Sequence, residues 1–79
     1  MIDVGKVCAV VALQLGREKV EPDQRLVEDL GAESLDYVTI AAALERAFDV
    51  TIPDDDLYQV ETVADFARAI DKNRKGSGS

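Results

Sequence analysis

Apolar residues recur at helical spacing near the start of the chain. Four of them lie three or four positions apart, the period at which side chains share one face of a helix: Val4, Val7, Val11 and Leu15. Asp3 is a favourable N-cap before this run, and Gly16 is a favourable C-cap after it. The pattern predicts a first helix from about residue 3 to residue 15.

The segment 34–48 has the clearest helical pattern. Its predicted inner face consists of Tyr37, Ile40, Ala41, Leu44, Ala47 and Phe48. The opposite face also carries apolar residues, because Leu35, Val38 and Ala42 form a stripe directed toward water. Single exposed apolar residues need no explanation. A stripe of them predicts a docking surface.

Two more helices are predicted in the C-terminal part. Pro53 stops any preceding helix and is suited to begin a new one. Residues 54–56 are all Asp, which favours the first turn of a helix because its dipole is positive there. We expect this short helix to end at about Gln59. The last helix is predicted from Thr62, a good N-cap, to about Asn73.

The connection between the first two helices, residues 17–33, is long and polar around Pro22. Its apolar residues are predicted to pin it to the core: Val20, Leu26, Val27 and Leu30. The sum is an all-α fold, a small four-helix bundle with three longer helices and one short one. We assign residues 1–74 to one domain. Residues 75–79 are expected to be a disordered tail left by cloning.

Composition narrows the class of protein. With 79 residues the chain forms one domain, and its hydrophobic fraction of 47% is that of a folded protein. Cys8 is the single cysteine, so no internal disulfide forms, and we expect it to fill space in the core. No apolar run approaches the length of about 18 residues that predicts a membrane span. We therefore expect a cytoplasmic monomer that does not insert into membranes.

Negative charge is concentrated in the middle of the chain. The net charge is −7, and residues 28–56 contain nine acids and one base, a net −8. This distribution argues against nucleic acid and for partners with Lys/Arg surfaces. A solvated acidic surface that aids solubility is the alternative.

The parts of an enzyme are missing from the sequence. The chain has no histidine, so a Ser-His hydrolase is excluded. Residues 54–56 lack the alternating ligands and central glycine of a calcium loop. No glycine-rich phosphate loop occurs. We predict no catalytic residue and no metal site.

Ser34 remains as the candidate for chemistry, at the boundary between a loop and the central helix. In the simplest interpretation, Ser34 or Glu33 caps that helix. An exposed serine at a helix N-terminus is also a good place for a phosphodiester, since free N–H groups and the dipole stabilise phosphate. The acids Glu33 and Asp36 would suit a basic enzyme that delivers the group.

Residues 30–36, Leu-Gly-Ala-Glu-Ser-Leu-Asp, resemble the L-G-x-D-S-L-D motif of acyl carrier proteins. The resemblance continues at the spacing of that family in four other stretches: residues 26–29, residues 43–48, residues 52–55 and Thr62-Val63. It covers the chain from about Val4 to Ile70.

The resemblance implies that a phosphopantetheinyl transferase attaches 4′-phosphopantetheine from coenzyme A to Ser34. The thiol of this arm would carry acyl groups as thioesters between enzymes, and the carrier itself would catalyse nothing. Four residues would line the cavity for the acyl chain: Ile40, Ala41, Leu44 and Phe48. Acyl synthases and transferases would use basic patches of their own to dock on one face of this carrier. The docking residues would be Glu33, Leu35, Asp36, Val38, Thr39, Ala42, Glu45 and Arg46.

The sequence also departs from the family pattern. Glu33 stands where Asp is usual, and Ala42 replaces a larger apolar residue. Thr39 and Arg46 occupy positions where acids are common, which favours a polyketide or other secondary-metabolite pathway over fatty-acid synthesis. Peptidyl, aminoacyl and D-alanyl carriers share the serine, although Asp36 favours acyl cargo. A non-carrying acidic adaptor is the alternative from another class.

Overall fold

Four helices make up most of the chain in the computed structural model, which describes residues 2–77 and the side chains of residues 2–74. They are α1 (Val4–Leu15), α2 (Ser34–Phe48), α3 (Asp54–Tyr58) and α4 (Val63–Ser77). Within residues 2–77 no strand forms, and the extended pairing there is limited to one antiparallel bridge between Arg25 and Thr62. The predicted all-α fold, with one helix much shorter than the others, is confirmed.

The helices begin at the residues that the capping signals indicated. The carboxylate of Asp3 accepts a hydrogen bond from the Lys6 N–H at 3.2 Å. Gly16 ends α1 in the left-handed region at φ 69°, which glycine adopts without steric cost. At the start of α4 the Asp65 N–H donates to the Thr62 hydroxyl at 3.3 Å, and the Thr62 N–H donates to the Asp65 carboxylate at 3.0 Å.

The last helix is longer than expected. It continues to Ser77 instead of ending near Asn73, so its backbone includes residues 75–77 of the predicted tail. Residues 78 and 79 lie outside the described part of the chain. The longest helices have 15 residues. No described helix combines the length and the apolar character needed to cross a membrane.

The core lies where α1, α2 and α4 meet. Its largest fully buried side chains are Phe66, Leu26, Ile40, Leu44, Ile70, Val7, Val11 and Val63. Cys8 packs among them as a small filler, as predicted. Two predictions were wrong: Ala47 is exposed because it lies at the edge of the inner face of α2, and Val27 is 56% exposed because its turn directs it outward.

The long connection is fastened to the start of α4. The Leu26 N–H donates to the Glu61 carbonyl at 2.9 Å, and the Val63 N–H donates to the Gln24 carbonyl at 3.1 Å. The side chain of Leu26 is fully buried beside these bonds, and Val20 and Leu30 are also buried. The connection therefore forms part of the core and holds the segment that leads into α2.

This arrangement predicts that Leu26 supports the fold far more than its neighbour does. We expect Leu26→Ala to lower the free energy of unfolding by about 2–5 kcal/mol, because it leaves a cavity in the core. Thermal denaturation should show a fall in Tm of at least about 10 °C. The matched control, Val27→Ala, should cost less than about 0.5 kcal/mol, because Val27 faces water. Equal losses in the two variants would contradict this role for Leu26.

Candidate functional site

Ser34 is the first residue of α2, and it does not cap the helix. Glu33 occupies the N-cap position in extended conformation, with φ −104°. The Glu33 N–H donates to the carboxylate of Asp36 at 2.9 Å. Of the two capping residues considered from the sequence, the structure selects Glu33. The Ser34 side chain is exposed, and its hydroxyl makes no hydrogen bond to any described residue.

The turn before Ser34 is held by backbone contacts. Gly31 has φ 69°, a conformation that favours glycine. The N–H of Ala32 donates to the carbonyl of Leu26 at 2.8 Å, and the Arg17 guanidinium donates to the carbonyl of Leu30 at 3.3 Å. The buried anchor Leu26 is thus linked directly to the position at which α2 and its serine begin.

An open cleft of about 750 Å³ lies beside Ser34. It is bounded by α2 on one side and by α3 with the following residues on the other. The lining residues are Val27, Ala32, Glu33, Ser34, Tyr37, Val38, Leu57, Tyr58 and Val60. Most of them are apolar, so a chain attached to Ser34 would find an apolar surface next to its point of attachment.

Tyr37 joins the two sides of this cleft. Its hydroxyl donates to the Val60 carbonyl at 3.1 Å. Its ring lies 6.2 Å from the ring of Phe66, centre to centre, at an angle of 44°. Burial raises the pKa of the Tyr37 phenol above its usual value of 10.0, and the carboxylates of Glu61, Glu28 and Asp65 add to this. The phenol is protonated at neutral pH, so it can donate this hydrogen bond to the Val60 carbonyl.

The four residues expected to line an acyl cavity in the bundle interior are separate from the open cleft beside Ser34. Ile40, Ala41 and Leu44 are buried in the core, and Phe48 is half-buried, with the Lys6 ammonium 5.1 Å from its ring centre. None of the four lines the cleft beside Ser34. The periodicity of α2 placed them correctly on the inner face. That they contact an acyl chain stays a prediction.

Several residues of the cleft were not singled out from the sequence. Leu57, Tyr58 and Val60 come from α3 and the turn after it. No motif marked them, because a helix of five residues has too few positions to show a periodic pattern. Tyr37 was assigned to the inner face, and the sequence contains no signal for its bond to Val60.

Five of the predicted docking residues form an exposed strip on α2. They are Leu35, Val38, Thr39, Ala42 and Arg46. Leu35 is 74% exposed and Val38 is 57% exposed. The hydroxyl of Thr39 donates to the Leu35 carbonyl at 3.1 Å, within its own helix. Arg46 makes no hydrogen bond or ion pair with any residue that the structure describes. The strip is therefore apolar and ends in one cation.

The two carboxylates within α2 have intramolecular partners. Asp36 accepts the Glu33 N–H, as described above. Glu45 is half-buried and accepts the Ile52 N–H at 2.7 Å, which fixes the connection to α3. Glu33, the remaining predicted docking residue, is exposed next to Ser34. The negative charge of α2 thus serves the fold at both ends of the helix.

A polar clasp connects α3 to α4. The carboxylate of Asp56 accepts from the Lys72 ammonium at 3.0 Å and from the Asn73 side-chain amide at 3.1 Å. These bonds, from Asn73 first and then from Lys72, hold the pKa of the Asp56 carboxyl below its usual value of 3.8. Leu57 in the next position is buried. The clasp and Leu57 together set the position of one wall of the cleft.

Metal ligands are not grouped in this part of the molecule. Among the side chains of residues 2–74 there is no set of three His, Cys, Asp or Glu that could hold a metal ion. The chemistry available at the cleft is that of a serine hydroxyl and an apolar surface.

The chain is similar to phosphopantetheine attachment sites and to acyl carrier proteins. The family model for phosphopantetheine attachment sites matches residues 5–70. The chain is 45% identical over 71 residues to an acyl carrier protein of Syntrophobacter fumaroxidans, covering 87% of this chain and 88% of that protein. It is 41% identical over 69 residues to an acyl carrier protein of Wolinella succinogenes, covering 87% and 91%.

A solved structure shares the fold. It is a candidate acyl carrier protein of Mycobacterium tuberculosis, with a TM-score of 0.81, 26% identity, and coverage of 89% of this chain and 97% of that one. The chain belongs to the phosphopantetheine-attachment family of acyl carrier proteins. It carries a covalent 4′-phosphopantetheine arm and is not itself an enzyme. Its partners are a phosphopantetheinyl transferase and acyl-handling enzymes.

The clasp predicts a dependence of stability on pH. Because the pKa of Asp56 is lower in the folded state, its stabilising contribution is complete above the unfolded-state pKa and is lost as the pH falls through the folded-state pKa. We expect Asp56→Asn to lower Tm at pH 7, and the difference from wild type to shrink below about pH 4. Differential scanning calorimetry at several pH values measures this.

The matched control is Asp54→Asn, in the same turn but exposed and without a partner among the described residues. It should change Tm little at pH 7. A difference between Asp56→Asn and wild type that persists unchanged into acid would show that Asp56 acts through packing and not through its charge.

Proposed function

We propose that Ser34 is the residue to which the phosphopantetheine arm is attached. The observation that carries this proposal is an exposed serine hydroxyl, without an intramolecular hydrogen bond, at the edge of the cleft between α2 and α3. In the reaction, Ser34 Oγ attacks the phosphorus that bears pantetheine in coenzyme A. The pyrophosphate P–O bond breaks, 3′,5′-ADP leaves, and a base of the transferase takes the hydroxyl proton.

The surroundings of Ser34 suit a phosphodiester. The N–H groups in the first turn of α2 have no intrahelical acceptors, and the positive end of the helix dipole stabilises negative charge there. Because Glu33 and Asp36 cap the helix, the Ser34 hydroxyl breaks no capping hydrogen bond when it reacts. The arm can then turn into the cleft or extend toward a partner.

We propose that partners dock over α2 and the adjacent acidic residues. Glu33, Asp54 and Asp55 are exposed and can meet basic patches on an approaching enzyme. The strip from Leu35 to Arg46 supplies apolar contact beside them. Polar residues at the rim of an interface mainly set the rate of encounter and the choice of partner.

The pathway that we propose is polyketide or other secondary-metabolite assembly, with acyl groups as cargo. Support comes from the outward strip of α2, which has Thr39 and Arg46 and no carboxylate. An enzyme that recognises a row of acids along α2 would find an apolar surface here, and a cation at its far end. Such a change in charge pattern discriminates against the wrong partner.

We expect incubation with coenzyme A and a broad-specificity phosphopantetheinyl transferase to add the mass of one phosphopantetheine to the wild type. Ser34→Ala should gain nothing, because the nucleophilic oxygen is removed. Intact-protein mass spectrometry measures both. Thr51→Ala is the control, since it removes another exposed hydroxyl and should be modified as the wild type is. Modification of Ser34→Ala would contradict the assignment, and an unmodified wild type would favour the adaptor.

The proposed pathway predicts poor use by enzymes of fatty-acid synthesis. With holo wild type as substrate, turnover by a bacterial fatty-acid ketosynthase should be at least about tenfold below that with a housekeeping carrier, a deficit that corresponds to about 1.4 kcal/mol. The double variant Thr39→Glu/Arg46→Glu should recover much of it, because it restores acids on the strip. Gln14→Glu, on the exposed side of α1, is the control for added charge. Turnover of the wild type equal to that of the housekeeping carrier would contradict this pathway.

A further inference from the structure

We infer that Tyr37 limits how far cargo can enter this protein, so that the cleft holds short acyl groups near its surface and excludes long alkyl chains from the interior. This inference rests on the proposed attachment of the arm to Ser34. It concerns the class of cargo, and it follows from the position of one side chain between the cleft and the core.

Tyr37 forms the inner limit of the cleft. It lies one turn beyond Ser34 on α2, and its hydroxyl bonds across to the Val60 carbonyl. Leu57 and Val60 on the opposite side are buried. A chain that enters from Ser34 between α2 and α3 therefore meets the Tyr37 ring and its bridge to Val60 before it can reach the core.

Behind Tyr37 the interior is filled. Ile40 follows it on the inner face of α2, and the Phe66 ring packs against it from α4. The side chains of Ile40, Leu44 and Phe66 are all fully buried. An alkyl chain could advance only by moving the Tyr37 ring away from Phe66 and by breaking the bond to Val60. That would leave a buried carbonyl without its donor, which is unfavourable.

The outer part of the cleft offers a different environment. Tyr58 is 81% exposed, and Val27 and Val38 are each more than half exposed. These side chains can cover a few carbons of cargo without enclosing them. The Tyr37 phenol is protonated at neutral pH, as an ordinary tyrosine is, so it can donate to the Val60 carbonyl throughout the neutral range. The cleft thus provides a shallow apolar surface that ends at a closed inner limit.

The test compares chain lengths in defined variants. Butyryl, octanoyl and dodecanoyl pantetheine arms are loaded onto Ser34 from the corresponding acyl-coenzyme A by a broad-specificity transferase. The proteins are the wild type, Tyr37→Ala, Tyr37→Phe and the control Tyr58→Ala, which removes a tyrosine from the outer wall of the same cleft. For each we measure Tm relative to the unacylated holo form and the rate of thioester cleavage by hydroxylamine.

Within the wild type we expect the three chains to give similar Tm values and cleavage rates within about twofold of one another, since longer chains stay in solvent. Tyr58→Ala removes contact with the first carbons of every chain alike, so its three chains should also differ little from one another. In Tyr37→Ala, dodecanoyl should raise Tm by at least about 5 °C over butyryl, because the chain fills the space left by the ring. It should also be cleaved at least about fivefold more slowly. Tyr37→Phe keeps the ring and loses the bridge, so it should fall between these two patterns.

Stabilisation of the wild type that grows steadily from butyryl to dodecanoyl would overturn the inference. This result is decisive even if Tyr37→Ala fails to fold, since it needs the wild type alone. Tyr37→Ala with the same chain-length pattern as the wild type would also overturn it. Failure of the proposed attachment site is recognised separately, because the mass spectrum would then show no arm on Ser34 before any chain is compared.

Discussion

The burial of Leu26 against the start of α4 is the contact on which the other features of the molecule depend. A chain of 79 residues has a thin core. Here the connection between α1 and α2 contributes buried side chains to that core, in addition to the helices. The backbone bonds of residues 24–26 to the start of α4 give this connection a defined path. Because Ala32 in turn bonds to the Leu26 carbonyl, the same contact sets the place where α2 begins.

Two acidic residues at the start of α2 cap the helix in place of the serine. Asp36 and Glu33 together provide the helix cap, so Ser34 is left exposed and without a structural task. An N-cap serine would have to give up a hydrogen bond in order to react, at a cost of about 1 kcal/mol. Glu33 stands where the family usually has Asp. The cap is preserved, because Asp36 accepts its hydrogen bond from the main-chain N–H of Glu33 and not from the side chain.

Much of this arrangement could be predicted from the sequence. The bounds of α1 and α2, the short α3 after Pro53, the capping role of Thr62 and the exposed strip on α2 all follow from periodicity and from local chemistry. The motif around Ser34 identified the family. The lining of the cleft could not be predicted, because Leu57, Tyr58 and Val60 reach it only when α3 packs against α4 and comes to lie across the cleft from α2. The four residues expected around an acyl cavity in the interior lie in or against the core, and their contact with cargo stays a prediction.

The sequence by itself determined the helices, the family and the candidate serine, because these depend on patterns among residues close together in the chain. The tertiary structure alone decided which residues meet across the fold. It brought the Tyr37 hydroxyl to the Val60 carbonyl, 23 positions away, and it placed Asp56 against Lys72 and Asn73. It also directed Glu45 to the Ile52 N–H. These outcomes depend on how helices are oriented and packed, which local pattern does not encode.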